Sequence, residues 1–121
     1  MPALANTQPS SLDAARVEAI RRLNDDLRVH GRGGRIVVTA GVRSLPPATL
    51  PLVFRAMTTF DAFTAENDPY GEHDFGSLEV DGQTVFWKID AYDRSLTAHS
   101  PNATDPAVTT RVLTIMRADE Y

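Results

Sequence analysis

The dipeptide Asp81-Gly82 constrains the fold of this chain more than any other feature. It lies between two runs, residues 75–80 and 83–92, in which apolar and polar side chains alternate. A two-residue Asp-Gly loop favours a primed turn, whose twist matches that of paired strands, so the segment predicts a β-hairpin. The register follows. Val80 faces Gln83, Leu78 faces Val85, Ser77 faces Phe86 and Phe75 faces Lys88; continued back by two residues, the same ladder sets His73 opposite Asp90. Leu78, Val80, Val85, Trp87 and Ile89 then share the core face. Phe75, Ser77, Glu79, Phe86, Lys88, Asp90 and Tyr92 share the other.

Helical periodicity appears upstream. Leu12, Arg16, Val17, Ile20, Leu23 and Leu27 recur at three- and four-residue spacing and predict an amphipathic helix over 12–29, with Ser10 or Ser11 as its cap. Gly31, Gly33 and Gly34 stop it and allow the reversal into a strand, RIVVTAGV, over 35–42. A second helix is predicted from Pro47 to about Phe60, followed by a loop over 61–74. After the hairpin come a short strand over 95–98, a turn-rich stretch, and a last helix opened by Asp105-Pro106, with Val108, Val112, Ile115 and Met116 on one side. A strand over 111–116 is the alternative, since Val, Thr and Ile favour it. The expected architecture is one α+β domain over 11–121 behind a flexible tail at 1–10. Its small sheet is mainly antiparallel, made of the hairpin and the 35–42 strand, with two to three helices packed on it.

Composition excludes several function classes. At 121 residues, 42% hydrophobic and 23% charged, the chain is long enough to bury a core without metal or disulfide. No cysteine is present, which removes thiolate chemistry and sulfur-based zinc sites. A signal peptide and a membrane span are both missing from the pattern, so the expectation is a cytoplasmic protein with no membrane association. The net charge of −4 argues against direct nucleic-acid binding. Residues 1–44 carry seven arginines against four acids, and residues 45–121 carry five bases against twelve acids.

Five of those twelve acids gather in FDAFTAENDPYGEHDF, residues 60–75, together with one histidine and four aromatic rings. Together RIVVTAGV, this segment with the GSLEV after it, VFWKIDAYD and DPAVTTRVLTIMRADEY resemble a family of small proteobacterial proteins known only as a domain of unknown function, often carried on mobile elements. The resemblance implies a bacterial, cytoplasmic accessory protein. It brings no activity and no catalytic residues.

Three constellations carry chemistry. His73, Asp90 and Lys88 form a candidate catalytic set, because a carboxylate facing a histidine fixes its tautomer and orients a general base; the commoner use of such a pair is a salt bridge that pins loop to sheet. Glu66, Asp68, Glu72 and Asp74 form a candidate set for a divalent cation, although their spacing matches no EF-hand, and solvated turn formers are the commoner use of such acids. Tyr70, Glu72, Phe75 and Tyr92 form a candidate binding patch, aromatic and rimmed by carboxylates, suited to a protein partner and in particular a basic one. The leading expectation is a non-enzymatic binding or accessory protein that engages a macromolecule through loop 66–75 and the adjacent sheet face, with no cofactor. The alternative is a small hydrolase or metal-dependent enzyme centred on His73 and Asp90. A structural subunit of a larger assembly is the third.

Overall fold

A computed structural model describes residues 11–121. The tail expected over 1–10, and Ser10 as a cap, lie outside the described residues. Helix α1 spans Ser11–His30 and turns Ile20, Asn24, Leu27 and Arg28 inward. It ends where Gly31 takes φ 68°, a left-handed value that costs glycine little, and donates its N–H to Leu27 O at 2.9 Å. Strand β1 is Gly34–Val38. It stops short of residue 42 because Thr39 caps a helical turn, α2 (Ala40–Arg43), accepting from Val42 N–H and sending Val42 into the core. Helix α3 is Leu50–Thr58, with Pro51 in its first turn, where no intrahelical donor is lost.

The hairpin forms as its residues dictate. Strand β2, Phe75–Val80, and strand β3, Gln83–Tyr92, pair from Phe75 with Lys88 to Val80 with Gln83. Asp81 and Gly82 both have positive φ, 50° and 75°, as a type I′ turn requires. Leu78, Val80, Val85, Trp87 and Ile89 are all buried.

The C-terminal segment corrects the expected helix. Asp105 does cap Pro106, but only a single 3-10 turn follows, Pro106–Val108, and the chain then runs as strand β4, Thr110–Arg117. Here the two-residue period of Arg111, Leu113 and Ile115, all buried, prevails over the helical spacing of Val108, Val112 and Ile115. The residues at 95–98 form a turn instead of a strand, because the Asp93 carboxylate accepts from Thr97 N–H at 3.0 Å and from Ser95 Oγ at 2.9 Å. Only an isolated bridge, Tyr92 to His99, remains there.

The fold is α+β, and its four-stranded sheet is mixed, in the order β1-β4-β3-β2. Strand β4 pairs antiparallel with β3 and parallel with β1, so the antiparallel description holds for two of its three ladders. Trp87, fully buried, anchors the core beside Phe60 and Phe63, at centroid distances of 5.7 and 6.2 Å. The Arg28 guanidinium lies 5.1 Å from the Trp87 ring centre. Phe75, Phe86 and Tyr121 cluster away from this core, on the sheet's other face. No helix among the described residues is long and apolar enough to cross a membrane.

Candidate functional site

Loop 61–74 is held to α1 by side chains that the apolar stripe concealed. Asp68, 8% exposed, turns the loop by accepting the N–H groups of Glu72 and His73 on one oxygen, at 3.1 and 3.2 Å. Arg21 donates to Gly71 O at 3.0 Å, and Asn24 Nδ2 donates to Glu72 O at 2.9 Å. His73 takes φ 54°, leaves the strand geometry, and stacks on Phe63 with ring centres 3.7 Å apart and planes 4° from parallel.

That conformation decides the partner of His73. Its Nδ1 lies 2.9 Å from Asp25 of α1, and its Nε2 lies 3.7 Å from Asp68. The ladder begins at Phe75, so the extrapolated pair with Asp90 is not made. Asp90 instead meets Lys88, two residues along the same face, at 3.0 Å. The hydrogen bond to Asp90 raises the Lys88 ammonium above its ordinary value.

The other two sets also divide. Glu66 is exposed, Asp68 is engaged by backbone donors, and among the described residues no group of three or more His, Asp or Glu side chains gathers as a metal ion would need. In the binding set, Tyr70 is 77% exposed and Glu72 turns toward α1, whereas Phe75 and Tyr92 lie on the outer sheet face with Phe86.

What the tertiary structure assembles is a cleft of about 310 Å³ between α1, the loop and the ends of β3 and β4. Arg16, Ile20 and Asn24 form one wall, Glu72, Asp74 and Asp90 another, and His99, Ser100 and Ala103 a third; Arg111 lies at the base. Arg111 is 2% exposed. Its Nε donates to Asn24 Oδ1 at 2.8 Å and its Nη2 to Ala103 O. Burial pulls the guanidinium below its ordinary pKa, against the opposing charge of Glu72. Burial, then the charges of Asp74 and Asp68, raise Glu72 above the usual carboxylate range although Arg16 and Arg111 pull it down. Burial, then Asp68 and Asp90, raise Asp74 likewise, against its own backbone hydrogen bond.

A family described as a protein of unknown function, DUF3768, matches residues 38–120. The chain belongs to this family. No curated protein and no solved structure matches the chain. The DUF3768 segment contains Glu72, Asp74, Asp90, His99 and Arg111 of the cleft, while Arg16 and Asn24 come from α1, which lies outside the match.

Sequence reasoning singled out Glu72, Asp74 and Asp90 and missed Arg111, Asn24, Arg16 and His99 as site residues. A signal did exist for two of them. Asn24 interrupts the apolar stripe between Ile20 and Leu27, and Arg111 has the strand parity of Leu113 and Ile115, so each is a polar group at a core position.

Proposed function

We propose that the protein is a non-enzymatic binding or accessory protein, and that the cleft above Arg111, walled by loop residues Glu72 and Asp74, is where it holds a macromolecular partner. One observation carries the reading: a nearly fully buried arginine shares a cleft with two carboxylates that are both raised toward their protonated forms. Groups kept in such unfavourable electrostatic states by a rigid surround are the mark of a site more than of a solvated loop. The same reading takes the protein as a bacterial cytoplasmic accessory, carried on mobile elements, with a protein partner and no direct contact with nucleic acid. The test is affinity capture followed by cross-linking. Recovery of the partner should fall with Glu72→Gln plus Asp74→Asn and persist with Phe86→Ala on the outer sheet face; the reverse pattern would move the site to that face.

A small hydrolase is the second reading, because a raised carboxyl in a cleft is also how a general acid is prepared. His73 supports it poorly, since both ring nitrogens face aspartates and the ring is stacked. Turnover of ester or glycoside substrates by the wild type, abolished in Glu72→Gln, would favour it over the binding reading.

A further inference from the structure

We propose that the cleft takes one lysine or arginine residue of an extended stretch of the partner polypeptide, with its cationic head between Glu72 and Asp74 and its carbonyl oxygen on Arg111 Nη1. The proposal rests on the cleft being the binding site and adds the class of group that enters it.

Arg111 supplies the first argument. Its Nε and Nη2 are engaged, by Asn24 and by the carbonyl of Ala103, but among the described residues Nη1 has no hydrogen-bond partner. Nη1 is not among the enclosed unpaired atoms, so it opens onto the cleft from an otherwise buried side chain, and an incoming acceptor meets a charged donor already fixed in place by its other two bonds. A neutral carbonyl suits it better than an anion. Glu72 already lies close enough for its charge to act on Arg111, and a fourth carboxylate would be repelled by Glu72, Asp74 and Asp90.

The walls supply the second. Glu72 and Asp74 repel each other, with Asp68 adding to both. Arg16, hydrogen-bonded to Asn102 Oδ1, is exposed to solvent and screened there. A cation seated between the two carboxylates cancels repulsion that the folded chain leaves standing. Ile20, Ile89 and Ala91 give apolar surface for the methylene stem of a long basic side chain. A volume of about 310 Å³ is at the low end for ligand sites, which suits one side chain with its peptide group. The excess of acids over bases in residues 45–121 would also attract a basic partner at long range.

The test is an NMR titration of the full chain, reading the backbone amides of Glu72, Asp74, Ala91 and Arg111. The probes are N-acetyl-Ala-X-Ala-amide, with X as Arg, Lys, Leu or Glu, together with free L-arginine and butylguanidine, which lacks a carbonyl. The Arg and Lys peptides should shift these amides, with affinity falling at least about tenfold in Glu72→Gln plus Asp74→Asn, and butylguanidine should bind more weakly than the Arg peptide. Butylguanidine binding as tightly as that peptide overturns the carbonyl contact, and free arginine binding more tightly than any peptide overturns the polypeptide ligand. If the Glu or Leu peptide shifts the cleft amides best, the ligand class fails while the cleft remains the binding site. If no probe shifts them, the basic-residue proposal fails, and capture of the partner by wild type but not by the double variant still upholds the cleft.

Discussion

Arg28 shows how a single charged side chain can be structural. It is 4% exposed, lies over the Phe63 and Trp87 rings, and donates from Nη1 to the carbonyls of Met57 and Phe60, both at 2.9 Å, where α3 ends. The Met57 carbonyl also accepts the Phe60 N–H at 3.3 Å, whereas the Phe60 carbonyl lies past the helix end. Arg28→Met keeps the stem but removes the charged donor from both carbonyls and the partner from Asp25, so it should destabilise the protein by about 3 kcal/mol, read from urea unfolding followed by Trp87 fluorescence. Glu72 and Asp74 act in the opposite sense. Their folded pKa values are raised, so between the ordinary carboxylate range and those raised values the native state holds more protons than the unfolded chain, and stability falls as pH rises through that window. Glu72→Gln plus Asp74→Asn should flatten that fall and raise the denaturation midpoint at pH 7, even as it weakens binding. Asp93 and Glu120 are held low by backbone donors, from Thr97 and Arg117 respectively, so their stabilisation is present at neutral pH and lost as pH falls through their folded values.

At the scale of elements, close approaches decide which residues are tolerated. A Cβ on Gly76 would lie 2.3 Å from Trp87 Nε1, and the indole is enclosed on every side by the core. Gly76→Ala should therefore cost about 2 kcal/mol in thermal or urea unfolding, whereas Gly82→Ala meets no atom and pays only for its positive φ. The central position of β4 makes a separate prediction. Its amides and those of β3, bonded to strands on both sides, should exchange slowest, while the first turns of α1, exposed from Ser11 to Arg16, should exchange fastest. The hairpin was legible because its turn chemistry and two-residue period are local. Strand β4 was not, because Val108 to Met116 satisfies a helical count as well as an alternation, and only β1 and β3 on either side select the strand.

At the scale of the whole molecule, α1 completes both the core and the cleft. It contributes Ile20 and Leu27 to the buried set and holds loop 61–74 through Arg21, Asn24 and Asp25. The DUF3768 segment alone, residues 38–120, lacks α1 and all of β1 but Val38, and should therefore give a poorly dispersed NMR spectrum; a well-dispersed one would show that both elements are dispensable for folding. By itself the sequence determined α1, the hairpin, its register and its core face, because each depends on spacing within a few residues and on the positive φ that Asp81-Gly82 accepts. The tertiary structure alone decided that Arg111 is buried beside Asn24, 87 residues away, and that His73 meets Asp25, 48 residues away, instead of Asp90. Those pairings depend on which elements become neighbours, and a positive φ at His73 was enough to turn one predicted partner into another.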